Sequence, residues 1–182
     1  MIQTEPIVLE QGILNKRWTE SRWYALYTRS RCEKQVDREL QKKGLKSFLP
    51  LRRVTKHWSD RKVVLEEPLF KGYLFVQIPL SQRWDVLGTA GAVRLIGRSA
   101  LGPTEVAERD VEAVRRLTES EIQADPFPYL KEGQRVYIRS GPLKGAEGFI
   151  VHKDKHCRLV LSLDLLMQSV SVQVDEACIE PL

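Results

Sequence analysis

The residues with the most obvious chemical potential are the glycines of Arg135-Val136-Tyr137-Ile138-Arg139-Ser140-Gly141-Pro142-Leu143-Lys144-Gly145-Ala146-Glu147-Gly148-Phe149-Ile150-Val151. A glycine-rich turn with a lysine could cradle a phosphate on its backbone N–H groups. The spacing argues otherwise. A dinucleotide fingerprint needs Gly-x-Gly-x-x-Gly opening a helix, and a P-loop needs Gly-Lys followed by Ser or Thr. Here apolar residues alternate on both flanks, the period of half-buried strands. Gly141, Gly145 and Gly148 are therefore expected to supply positive φ and missing bulk at the corner of a small barrel.

Other reactive side chains form no set. His152, His156 and Cys157 lack a fourth ligand at any zinc spacing and flank a lysine-rich, solvated turn, so no metal is expected. Glu66 and Glu67 are adjacent and point to opposite faces of an extended chain, and no Ser, His and Asp cluster suggestively. The reading is of a protein that is not an enzyme and needs no cofactor. Cys32, Cys157 and Cys178 are odd in number and scattered, as suits reduced thiols in a cytosolic protein.

Charge is the stronger signal. Residues 16–62 carry 15 Lys and Arg against 5 Asp and Glu, a net of +10 in a chain of net +5, so the remainder is net −5. The basic segment is the candidate for nucleic-acid contact. No apolar run approaches the roughly 18 to 20 residues of a membrane span, and the N-terminus lacks a charged region followed by an apolar core. The expected protein is cytoplasmic and monomeric, with no membrane partner.

The elements that must position these residues follow from the apolar pattern of the 182-residue chain. Residues 1–21 show no sustained periodicity and read as a flexible extension. Trp23 to Thr28 predicts a strand. Ser30-Arg31-Cys32-Glu33 has the form of a capping box opening a helix that Gly44 stops; Cys32, Val36 and Leu40 share its buried face, and Lys34, Arg38 and Lys42 another. Arms around Ser59-Asp60-Arg61 predict a basic hairpin, and Leu69 to Ile78 a turn leading into a strongly apolar, central strand. Gln82 to Leu87 reads as a short helix and Val93 to Ile96 as a strand. Pro103-Thr104 predicts the opening of a helix with Ala107, Val111, Val114 and Leu117 facing inward. Asp125-Pro126-Phe127-Pro128 reads as linker. Five strand patterns near 135–139, 147–152, 158–163, 169–174 and 177–180 suit a small barrel.

The glycine turn with its flanking strands resembles the KOW motif. Trp23-Tyr24-Ala25-Leu26-Tyr27 and Glu67-Pro68-Leu69-Phe70-Lys71-Gly72-Tyr73-Leu74-Phe75-Val76 add a likeness to the NGN domain. Together, residues 23–182 resemble the NusG family of transcription elongation factors, nearest its RfaH-like specialised members. The resemblance implies an α+β fold: an NGN-like antiparallel sheet with flanking helices at 22–118, a linker at 119–130, and a KOW (SH3-like) β-barrel at 131–182.

It further implies a bacterial elongation or antitermination factor whose NGN domain binds the clamp helices of RNA polymerase through an aromatic depression at Tyr27, Phe70, Tyr73 and Phe75. A second polymerase contact would fall near Arg83-Trp84-Asp85-Val86, where the family's polar motif is absent. The non-template DNA strand would meet Arg29, Lys42 and Lys43, while Glu39 and Ala90 depart from the family pattern. Leu166 would present the barrel to Rho or to a small-subunit ribosomal protein, and Glu67 with Arg158 would tie the domains together. RfaH-like members can refold the barrel into a helical hairpin; the alternation of Val170, Val172 and Val174 with polar residues favours the barrel here. The alternative function is a KOW-containing RNA-binding factor of translation or the ribosome.

Overall fold

Strand β1 (Arg22–Thr28) organises the N-terminal half because Trp23, Tyr24, Ala25 and Leu26 in it are buried in succession, on both faces. A strand covered on both sides must lie inside a layered sheet. In the computed structural model, which describes residues 16–57, 61–97, 102–120, 122, 124–127, 133–153, 156–163, 166–175 and 178–182, that sheet has β1 at its centre. β5 (Tyr73–Ile78) pairs antiparallel with β1, and β2 (Lys46–Phe48) pairs with the far edge of β5. β6 (Ala92–Leu95) and β7 (Glu105–Val106) share the other edge of β1. β3 (Leu51–His57) and β4 (Lys62–Pro68) form the separate basic hairpin, whose predicted tip at Ser59 and Asp60 lies outside the described residues.

Three helices close the faces. α1 (Glu33–Lys42) sets Val36 and Leu40 against Tyr24, Leu26, Leu74 and Val76. The short α2 (Arg83–Leu87) adds Val86 to that layer. α3 (Glu108–Glu119) covers the opposite face, where Trp23, Ala25, Phe70 and Phe75 meet Val111, Val114 and Leu117.

The C-terminal half is a six-stranded antiparallel sheet in the order β13-β9-β10-β11-β12-β8. Its strands are β8 (Ala124–Phe127), β9 (Gln134–Ile138), β10 (Glu147–Lys153), β11 (His156–Leu163), β12 (Gln168–Val174) and β13 (Ile179–Pro181). Five of these match the sequence expectation closely. Val136, Ile138, Leu159, Leu161, Val170 and Val172 fill its core, continuous with the α3 side of the first sheet. At the β9–β10 corner Gly141 and Gly145 have φ of 84° and 88°. Gly148 serves differently: a Cβ there would stand 2.6 Å from the carbonyl oxygen of Val160, so only glycine lets β11 approach so closely.

Four expectations are corrected. Cys32, not Ser30, caps α1, and no side chain caps it. Glu105 belongs to β7, and Ala107 is the exposed N-cap of α3 rather than part of its inward face. Asp125-Pro126-Phe127, read as linker, pairs with β12 as an edge strand, a place where a proline's missing N–H costs no ladder bond. Residues 16–19, assigned to the flexible extension, form a helical turn; residues 1–15 lie outside the described set.

Candidate functional site

Strand register brings the aromatic candidates together. Tyr27 pairs directly with Tyr73, and Ala25 with Phe75, so all four side chains share one face of the sheet. Along that face the chemistry changes. Phe75, beside the small Ala25, is fully buried, with Phe70 edge-on at 6.2 Å and Phe48 stacked at 6.1 Å. Arg115 of α3 rides over the rings of Trp23 and Phe48. Beyond the reach of α3, Tyr27 is 37% exposed and Tyr73 half-buried, their centroids 5.3 Å apart. Phe70 and Phe75 are thus the foundation, and Tyr27 and Tyr73 the solvent-facing rings. Paired aromatic rings on a rigid apolar base are the usual anchors of protein interfaces.

A buried carboxylate fixes this end of the sheet. The Gly72 N–H donates to Glu33 Oε1 at 2.8 Å, and the Gly72 carbonyl accepts from the Thr28 N–H at 2.9 Å. Gly72 has φ of 82°, and a Cβ there would sit 3.2 Å from the Tyr27 ring. The turn before β5 is therefore clamped between α1 and β1 with Tyr27 packed against it. Glu33, expected to close a capping box, instead reaches across the fold to this turn.

The three basic candidates have separate tasks. Arg29 is exposed just after β1. Lys42 pairs with Glu39 at 2.8 Å, and that hydrogen bond, followed by the attraction of the same ammonium, holds the Glu39 carboxyl below its usual range. Lys43 donates to the Asp85 carbonyl at 3.0 Å and to Thr89 Oγ1 at 2.8 Å, tying α1 to the C-terminal turn of α2.

The expected Glu67–Arg158 ion pair does not form directly. Arg52 of β3 lies 3.7 Å from Glu67 and 3.3 Å from Asp125, and Asp125 lies 3.9 Å from Arg158. The two residues are the ends of a relay, and Arg52 and Asp125 are its middle. Lys56 also bonds Glu67, and this hydrogen bond is the first cause of a lowered carboxyl pKa, opposed by partial burial. Elsewhere Arg109 approaches Glu147 at 3.9 Å, and the Arg116 guanidinium donates to the Lys144 carbonyl. Between the β3–β4 hairpin, the end of α3 and β8 lies a cleft of about 890 Å³.

In the barrel, Leu166 is buried in the core, and its neighbour Met167, at φ of 53°, is exposed instead. The expected apolar display at Leu166 is corrected accordingly; Asp164 and Leu165 lie outside the described residues. Among the described residues no three His, Cys, Asp or Glu side chains stand close enough to hold a metal. None of the described helices is long and apolar enough to cross a membrane.

The family model described as "Transcription termination factor nusG" matches residues 21–115, just over half of the chain. The chain belongs to the NusG family. A NusG-type transcription factor is not an enzyme. Two relatives named transcription termination/antitermination protein NusG extend the match beyond the first module. That of Borreliella burgdorferi is 25% identical over 181 residues, covering 88% of this chain and 98% of its own. That of Staphylococcus aureus strain Mu50 is 25% identical over 179 residues, covering 88% and 96%. Among solved structures, "Domain interaction in Thermotoga maritima NusG" superposes with a TM-score of 0.57 at 21% identity over 90% of this chain and 98% of that one, a likeness of fold. For a NusG-family sequence, Glu33, Arg52 and Asp125 are the positions that sequence reasoning missed. No local signal marks them: Glu33 is followed by Lys34, Arg52 by Arg53 and Asp125 by Pro126.

Proposed function

We propose that this chain is a cytoplasmic bacterial elongation factor that grips RNA polymerase with the Tyr27–Tyr73 end of its first sheet and favours processive elongation, antitermination included. The observation carrying this reading is the ring pair itself. Two phenol rings, tilted at 49° to each other, are partly open to solvent, and Tyr73 packs against the buried cluster of Phe70 and Phe75. The polymerase clamp helices are the proposed occupant, with the tyrosines as contact residues and the phenylalanines as support. A factor that binds the closed, active polymerase better than the opened, paused one shifts the population toward elongation.

Arg29 and Lys42 are the proposed phosphate contacts to the non-template strand, and Lys43 holds the surface they stand on. The exposed turn at Met167, with Leu166 beneath it, is the proposed meeting point for Rho or a small-subunit ribosomal protein. Action on selected operons, as in RfaH-like members, is the finer reading. It is supported by the relay of Arg52 and Asp125, which would hold the barrel against the first module until a target releases it.

Transcription with purified polymerase tests the proposal. The chain should co-migrate with stalled elongation complexes and shorten pauses. Selective action requires that this depend on the exposed non-template sequence. Binding to ribosomal subunits with no binding to polymerase would replace the proposal with the translation reading.

A further inference from the structure

At the opposite end of β1 and β5 lies a second aromatic surface. Trp18, in the helical turn at 16–19, and Trp84, in the first turn of α2, flank the guanidinium of Arg83. Arg83 Cζ is 4.5 Å from the Trp18 ring centroid and 4.8 Å from that of Trp84. Both indoles face outward, Trp84 being 66% exposed and Trp18 40%. Tryptophan has the largest apolar payload of any side chain and is ordinarily well covered, as Trp23 is. A guanidinium stacked on one face of an indole holds the ring in place and leaves the other face open. Little rotamer freedom then remains to be lost when a planar ligand arrives.

The charges around the stack favour an anionic ligand. Lys43 reaches the Asp85 carbonyl, so the basic end of α1, with Lys42, abuts α2. Glu105 is paired with Arg17 at 3.3 Å and Glu20 with Arg22, while Lys42 and Glu39 offset each other and the Lys42 ammonium stays the more exposed of that pair. The exposed Asp85 carboxylate is the one opposing charge on α2 itself.

We infer that Trp84 and Trp18 form a stacking site for the bases of single-stranded nucleic acid, with Arg83 behind the rings and Lys42 drawing the phosphates. Stacking of this kind tolerates any sequence, because every base has a π-face, and it excludes duplex, whose bases are already stacked. The site is separate from the tyrosine pair, since Tyr73 and Ile78 at the two ends of β5 are about 16 Å apart along the strand. The inference deepens the proposed non-template contact, on which its biological use rests. The binding itself belongs to the free chain and needs no polymerase.

The test titrates the intact chain into a fluorescein-labelled twelve-nucleotide DNA of mixed sequence, single-stranded and as duplex, over a range of salt. Trp84→Ala should weaken single-strand binding about tenfold and leave the slope of affinity against salt unchanged. Trp84→Phe should restore most of it, and the duplex should not respond. A thermal melt confirms that the exposed substitution leaves the fold intact. Unchanged single-strand affinity in Trp84→Ala, equal losses on single strand and duplex, or no binding by the unaltered chain would each overturn the site. So would a loss of polymerase binding with oligonucleotide affinity intact, which would assign the rings to a protein. If Trp84→Ala weakens the oligonucleotide complex but not the elongation complex, the stacking site stands and the non-template role falls.

Discussion

The two ends of the first sheet carry aromatic pairs built on opposite principles. At one end Tyr73 packs on the cluster of Phe70 and Phe75, Tyr27 lies against Tyr73, and the pair continues that core to the surface. At the other, Trp18 and Trp84 rest on the Arg83 guanidinium. A ring backed by a core offers a rigid apolar anchor, which suits a protein helix. A ring backed by a guanidinium offers an open π-face beside positive charge, which suits a base and its phosphate. One sheet of six-residue reach can thus hold two partners without overlap, because strand register fixes the distance between its ends.

Both ends share a foundation, and breaking it should remove the contrast. Leu74 is fully buried in β5 between them, so Leu74→Ala should cost about 2–5 kcal/mol in urea unfolding and weaken both surfaces together. Loss at one end alone would show that the sheet does not couple them.

Glu33 should separate the ends. Glu33→Ala leaves the buried Gly72 N–H without its acceptor and should cost about 1–3 kcal/mol, with faster amide exchange at Gly72. The disturbance should reach Tyr27 and Tyr73 but not Trp84. Glu33→Gln keeps an acceptor oxygen and should recover most of the loss.

Arg52→Ala tests whether the barrel is held by the relay. It removes the middle of Glu67–Arg52–Asp125–Arg158, a half-exposed network, and should cost about 1 kcal/mol or less. Faster proteolysis near β8 with both aromatic ends unaffected is the expected result.

The smallest effect is a pH dependence at Glu67. Its folded carboxyl is held below the usual value by the Lys56 hydrogen bond, so the stabilisation is present above the ordinary carboxylate range and fades as pH falls through the lowered folded value. Lys56→Met should flatten that acid limb in a stability profile.

Much of this architecture was legible because local pattern and tertiary demand agree. The runs Trp23 to Thr28 and Tyr73 to Ile78 are apolar on both faces, as central strands must be, and Val170 and Val172 are buried as their spacing suggests, although Ser169 and Ser171 between them are covered as well. Where a distant contact decides, local pattern failed. Ser30 and Glu33 have the spacing of a capping box, yet Arg31 takes φ of 64° and Glu33 is claimed by Gly72, 39 residues on. Period-two alternation puts Tyr73 and Phe75 on one face but cannot say where α3 stops covering it. Likewise the left-handed turn at Met167 decides that Leu166 points inward. Pro126 was readable as unfit for a sheet interior, but not as an edge strand.

The central claim is that the tyrosine end grips polymerase, and the most direct measurement is the affinity of the intact chain carrying Tyr27→Ser and Tyr73→Ser for a stalled elongation complex. Both rings are partly exposed, so the circular dichroism spectrum should be unaltered. Binding should fall by about tenfold or more, with single-strand oligonucleotide affinity unchanged. An unaltered affinity for the elongation complex, in a chain shown to be folded, would contradict the account.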